Sequence, residues 1–232
     1  MFGETVYHLH QPRDFTINEV NNLILFHGTS REAVEPIIND GFTPSRNNEL
    51  YLGHGVYFHD CEELVIRWRW DKTKPPQIVE DAVQKKLKGY LLNVNDLNDL
   101  ITSFNREQGV IVSRIKSATY LDMDNVNNKK IFKKIYKAFY KNTKEIHISD
   151  TSIYQVLFEE FGLKDIYDMV TLTFKVYNTK KGSVLPQHNI LHKEYCIKSE
   201  NFIIDRCECK ITEENMIDFL KIIVTKKEIE GV

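Results

Sequence analysis

The sequence predicts an α+β fold built on a mainly antiparallel sheet. Three observations lead there. Short apolar stretches that read as strands are separated by insertions of unequal length, without the regular βαβ rhythm of a parallel sheet. Segments with helical spacing of apolar residues lie between them. The chain has 232 residues, 42% hydrophobic and 28% charged, which is ample for a real core and fits one large domain or two small ones.

Asn21–Phe26 (NNLILF) reads as a buried strand. Ser30 is the N-cap candidate of a helix over SREAVEPIIND, with Glu35 and Asp40 toward solvent, and Gly41 ends it. Gly55–Phe58 is a short extended piece. Cys61–Asp71 has helical spacing behind Asp60. Pro76–Lys88 is a second such helix, closed by Gly89. Strands are predicted around Tyr90–Val94, Val110–Ser113, Thr119–Met123 and Val170–Tyr177. Asn128–Lys141 is an amphipathic helix, with Ile131, Ile135 and Phe139 on one face and lysines on the other. Ser149–Phe161 is another helix, capped by Ser149 or Asp150. Glu194–Lys198 and Phe202–Cys209 are strands, and Glu213–Glu228 is a closing helix.

The formal charge is -2, from 31 Lys+Arg and 33 Asp+Glu. Bulk charge therefore offers no argument for a nucleic-acid partner. The N-terminal residues show no basic start and no apolar h-region, so no signal peptide is expected. Apolar runs such as Leu23–Phe26 and Ile222–Val224 are too short to span a bilayer. Cysteines at 61, 196, 207 and 209 form no dense disulfide framework and fit a reducing cytosol. Cys207-x-Cys209 lacks the partner ligands of a zinc site and reads as two strand residues on one face.

Three segments stand out for chemistry: Phe26-His27-Gly28-Thr29 after a strand, Gly53-His54-Gly55-Val56-Tyr57-Phe58, and Glu194-Tyr195-Cys196-Ile197 opening a late strand. Taken in order, LFHGTSREAVEPIINDGFTPS, LGHGVYFHDCEELVIRW and HKEYCIKS resemble the ADP-ribosyltransferase superfamily. The likeness is to the branch of diphtheria toxin and the poly(ADP-ribose) polymerases, closest to compact bacterial stand-alone domains. It covers about residues 22 to 210.

The resemblance implies an ADP-ribosyltransferase-like fold, with a split antiparallel sheet around a cleft for NAD. It implies a catalytic triad of His27, Tyr57 and Glu194. Breaking the nicotinamide–ribose bond develops oxocarbenium-like charge on the sugar, as in glycosidases. A carboxylate at Glu194 stabilises that charge and stays ionised, so it is expected outside any apolar pocket. Tyr57 offers an aromatic face to the cationic nicotinamide. Gly28 allows close backbone approach to the carboxamide. His27 contacts a ribose hydroxyl, by resemblance that of the adenosine, and Thr29 adds a polar contact. The family's second stacking aromatic matches Trp68, where core packing is the competing reading. Val65 stands where the family often has a small or hydroxyl residue.

Other features are less specific. His54 and His59, or His8 and His10, read as loop and surface histidines rather than metal ligands, so no metal is expected. Gln187, His188, His192 and Lys193 precede Glu194 in what reads as a loop; by the resemblance it faces the acceptor, and simple solvent exposure is the competing reading. His192 stands two positions before Glu194, where the arginine-modifying branch has Glu or Gln, which points away from arginine as target. The stretch 75–117 reads as a possible insertion within a single domain, 1–232. Lysines between Lys129 and Lys144 read as a solvated helix face or a contact patch.

The resemblance thus predicts a cytoplasmic NAD-dependent transferase of single ADP-ribose units, acting on a protein or nucleic acid. A toxin or phage-defence effector held by an antitoxin-like partner fits the small size. An NAD glycohydrolase and a non-catalytic NAD- or ADP-ribose-binding module are the alternatives.

Overall fold

The computed structural model describes residues 15–45, 51–73, 77–140, 147, 151–176 and 190–224. His8, His10, Gln187 and His188, and the caps expected at Ser149 or Asp150, lie outside the described residues. Six strands and seven helices are present among those described. The strands are β1 (Asn18–Ser30), β2 (Val56–His59), β3 (Gln108–Asp122), β4 (Met169–Val176), β5 (Ile190–Ile197) and β6 (Ile203–Cys209). The helices are α1 (Val34–Asp40), α2 (Glu62–Thr73), α3 (Gln77–Leu87), α4 (Val94–Glu107), α5 (Val126–Phe139), α6 (Thr151–Gln155) and α7 (Glu213–Val224). The mixed, mainly antiparallel architecture agrees with the α+β expectation.

The long strands β1 and β3 pair antiparallel from Ser30↔Gln108 to Asn18↔Tyr120. The other edge of β3 is shared. Its first half pairs antiparallel with β6, and its last residues run parallel to β4, Tyr120 opposite Met169. β4 pairs antiparallel with β5, and β5 with β2. A single pairing of β2 with β1, Phe26 opposite His59, closes a ring of five strands.

Side chains alternate between the faces of a strand. That alternation corrects the expectation of a wholly buried strand over Asn21–Phe26: Leu25 is buried while its neighbour Ile24 is 55% exposed. The strand also runs on through Ser30, so His27, Gly28 and Thr29 are strand residues held by β3 rather than a turn after it. The two short strands predicted at Val110–Ser113 and Thr119–Met123 are one, because β1 supplies a partner along the whole length.

Tyr90–Val94 is not a strand. Tyr90 and Leu91 are exposed, and Asn93 begins α4. The Asn93 side chain accepts from the Asp96 N–H, and the Asp96 carboxylate accepts from the Asn93 N–H, a reciprocal capping box. Leu97, Leu100 and Phe104 then recur at helical spacing and are buried. The stretch 75–117 therefore holds two helices and the first ten residues of the core strand β3. Ser30 sits at the N-cap of a short 3-10 turn, Arg31–Ala33, that leads into α1, but makes no side-chain cap bond. Gly41 follows α1 at φ 97°, a conformation that favours glycine.

Three apolar clusters hold the elements together. One joins α2, α3, α4 and α7, where Trp70 meets Phe104 and Phe219 edge-on at centroid distances of 5.3 and 5.0 Å. A second lies under α1 and includes Leu25, Phe58 and Ile111. A third lies under α5 and the segment 153–172. The buried face of α5 carries Asn128, Phe132, Ile135 and Tyr136, a stripe turned from the predicted one, with Ile131 and Phe139 at its margins. Asn128 sets that turn: its amide donates to the Asp122 carbonyl and accepts from the Thr16 N–H. Lys130, Lys133, Lys134 and Lys137 are exposed, and Lys141 and Lys144 lie outside the described residues. The four cysteines are free thiols, with Cys207 and Cys209 both in β6. Among the described residues no helix is long and apolar enough to cross a membrane.

Phe104→Ala removes the ring that Trp70 packs against. It is expected to cost about 3–5 kcal/mol of unfolding free energy, measured by urea denaturation.

Candidate active site

Closure of the ring brings three distant parts of the sequence to one place. β2 lies between β1 and β5, with His59 opposite both Phe26 and Glu194. Beside this junction is a cleft of about 560 Å³, within the usual size of a small-molecule site, about 300–1,000 Å³. His27, Gly28, Thr29, Tyr57, Trp68 and Glu194 all line it, and so does His59. The opposite wall is formed by α1 and the residues that follow it, including Phe42.

His27 is held firmly. Its Nδ1–H donates to the Tyr57 carbonyl at 2.7 Å. Its ring stands edge-on to Phe42 at 5.0 Å and tilted to Phe58 at 5.6 Å. Burial pushes the imidazole down to about 4; the bond to Tyr57 opposes this in part, and the Arg69 charge adds to it. At neutral pH the ring is uncharged, and with Nδ1 as donor its Nε2 is an acceptor.

Tyr57 has its hydroxyl fully engaged. It donates to the Gly53 carbonyl at 2.7 Å and accepts from the Leu52 N–H at 2.8 Å. Burial pushes the phenol far up, so it stays protonated. What the residue offers the cleft is its ring. The same loop is pinned from below by Lys198, whose ammonium donates to the carbonyls of Leu52 at 2.5 Å and His54 at 2.8 Å. Burial pushes the Lys198 pKa down, and those carbonyls replace its lost hydration. Lys198 is a supporting residue that sequence reasoning missed. His54 is likewise tied, to Gln155 at 2.6 Å.

Gly28 lies where α2 crosses β1. A Cβ there would stand 2.8 Å from both Val65 Cγ1 and Arg69 Cγ. The absence of a side chain thus lets the helix approach the strand and keeps the backbone at the cleft. The two tryptophans of α2 divide: Trp70 is core, and Trp68 lines the cleft with the Arg69 guanidinium 5.6 Å from its ring centre. Arg69 is anchored by a 2.7 Å bond from Nε to Gln108 Oε1.

Glu194 departs from expectation. It is only 7% exposed, because β5 is an interior strand flanked by β2 and β4. Its company is polar: His192 Nε2 donates to Glu194 Oε1 at 3.0 Å. His192 belongs to β5 and not to a preceding loop, and period-two alternation puts it on the same face as Glu194. His59 is likewise no loop or surface histidine; it ends β2 and is 6% exposed. Burial pushes its imidazole down to about 4, with Glu194 opposing and His192 and His27 adding to the effect. The His59 and His192 ring centres are 5.7 Å apart. The spacing His192-x-Glu194 in a strand was the signal that could have paired them.

No family model matches the chain, and no solved structure matches it. A 53-residue stretch, 22% of the chain, is 36% identical to an uncharacterized protein of Methanocaldococcus jannaschii. The match spans about a quarter of that relative's length, 25%.

Gly28→Ala is expected to destabilise the fold by about 1–3 kcal/mol through overpacking against Val65 and Arg69, read from urea unfolding. The His27 shift makes a second prediction. The folded state resists protonating this ring while the unfolded chain takes up a proton near 6.5. The contribution is thus fully present above about pH 6.5 and is lost as pH falls toward 4, with a slope of up to about 1.4 kcal/mol per pH unit. Unfolding measured across that range should show the slope reduced in His27→Gln; an identical acid limb in both proteins rejects the assignment.

Proposed function

We propose that the protein is an NAD-dependent ADP-ribosyltransferase, which releases nicotinamide from NAD and transfers ADP-ribose to a protein or nucleic-acid acceptor. One observation carries the reading. His27, Tyr57 and Glu194, the three residues that match the family triad, come from three separate strands and line a single cleft, together with Gly28, Thr29 and Trp68.

The local chemistry suits each role. The bond from ribose C1 to the nicotinamide nitrogen breaks, and its electron pair leaves with nicotinamide. The acceptor's nucleophile then bonds to C1 and gives up its proton. Positive charge builds on the sugar between these events, and the Glu194 carboxylate at the cleft wall opposes it. The Tyr57 ring, with its hydroxyl engaged elsewhere, is a stacking surface for the nicotinamide, and Trp68 is the second aromatic of the cleft. A neutral His27 with Nδ1 committed to Tyr57 presents Nε2 to accept a ribose hydroxyl proton in a hydrogen bond. Transfer of single units and an effector role under a macromolecular inhibitor belong to the same proposal.

The test uses NAD labelled on its adenylate half, with and without cell extract. Nicotinamide release together with label on macromolecules supports transfer. Release without labelling identifies a glycohydrolase, and binding without release identifies a binding module. Glu194→Gln is expected to lower nicotinamide release by about a hundredfold or more while NAD affinity stays within a few-fold. Tyr57→Leu should weaken NAD binding by up to about tenfold, measured by calorimetry. Full turnover in Glu194→Gln overturns the reading.

A further inference from the structure

The group formed by His59, His192 and Glu194 does more than border the cleft. Each residue offers one ligand atom, and these three atoms lie within 4.8 Å of one another. The backbone holds them there. His59 is directly opposite Glu194 across the β2–β5 pair, and His192 is two residues from Glu194 on the same strand face. No loop movement is needed to assemble them.

A second observation points to a ligand. His59 Nδ1 and His192 Nδ1 are buried, and neither has a hydrogen-bond partner among the described residues. His59 as a whole is 6% exposed. Buried polar atoms without partners are rare in folded proteins, and each asks for an explanation. His192 turns its Nε2 to Glu194 Oε1 at 3.0 Å, and a shift of the ring proton to the unpartnered Nδ1 frees the Nε2 lone pair on the side of Glu194. With the buried His59 imidazole and the Glu194 carboxylate, it offers lone pairs whose natural partner is a cation.

We propose that His59, His192 and Glu194 form a binding site for a borderline divalent transition-metal cation of the zinc class. Two imidazoles and one carboxylate suit Zn²⁺ and its first-row neighbours, whereas Mg²⁺ and Ca²⁺ prefer oxygen donors alone. Three protein ligands leave a coordination position for water, and Glu194 and His59 both line the cleft, which gives solvent a route to it. Loading replaces the His192–Glu194 hydrogen bond by bonds to the ion.

The site has a regulatory consequence, which rests on the transferase reading although the binding itself does not. A Glu194 carboxylate committed to the cation is withdrawn from the ribose. The cation and NAD then compete for one group, and free Zn²⁺ restrains turnover.

The test begins with the full chain stripped by a chelator. Equilibrium dialysis against Zn²⁺ should find a bound ion that is lost or weakened by at least about tenfold in His59→Gln and, separately, in His192→Gln. His54→Gln, whose ring is tied to Gln155, should bind like the parent. Co²⁺ loading should give a visible d–d absorption that vanishes in the same two variants. Metal should raise the unfolding midpoint of the parent and of His54→Gln only, a readout that also reports whether each variant is folded. Zn²⁺ binding unchanged in both His59→Gln and His192→Gln, or absent from the parent, overturns the proposal. Nicotinamide release is measured in parallel on the stripped protein. Binding without release leaves the cation site standing and rejects the transferase; release without binding does the reverse.

Discussion

Four residues of β2 hold the molecule's two sheet halves together. On one side the strand meets β1 through a single residue pair, Phe26 and His59; on the other it runs antiparallel to β5 from Val56↔Ile197 to His59↔Glu194. The long β1–β3 ladder and the β4–β5 pair would be separate ribbons on this side without it, although β4 also meets β3 at the far end. The cleft exists because the ring closes here. Residues 27, 57 and 194 become neighbours through backbone hydrogen bonds, and side-chain contacts then refine the arrangement.

Around that junction the polar groups are largely committed in advance. The His27 Nδ1–H is used by the Tyr57 carbonyl, the Tyr57 hydroxyl by Gly53 and Leu52, and the Lys198 ammonium by the loop that carries them. Each commitment fixes what remains available: an acceptor nitrogen on His27, a ring face on Tyr57. Such prior orientation is how a site avoids the cost of reorganising during reaction. The buried Nδ1 atoms of His59 and His192 break this pattern of satisfied groups, in side chains that cluster with the Glu194 carboxylate.

Parts of this arrangement were legible in the chain. Helices over α2, α3, α5 and α7 follow from apolar spacing, and Gly41 and Gly89 mark where α1 and the α3 region stop. The sequence motifs single out residues 27–29, 57, 68 and 194, and these line one cleft. The failures have physical causes. Tyr90–Val94 mimics a strand because its first three residues are apolar, yet Asn93 and Asp96 cap a helix there, and Tyr90 and Leu91 are left exposed. Glu194 was expected outside any apolar pocket; its near-complete burial was not foreseen, because a single sequence does not tell which strand will be interior. His59 was read as a loop or surface histidine, and His192 as a loop residue, for the same reason.

The amino-acid sequence by itself determined the local choices: the helices and their ends, the strand segments, the glycine at 28 and the residue types at each motif. Those depend on spacing, capping and steric freedom within a few residues. Only the tertiary structure decided that β1 and β3 run long, that Trp68 faces the cleft while Trp70 is core, and that His59, His192 and Glu194 converge. Strand register, burial and side-chain neighbours come from pairings between distant parts of the chain, such as His59 with Glu194, and no local pattern encodes them.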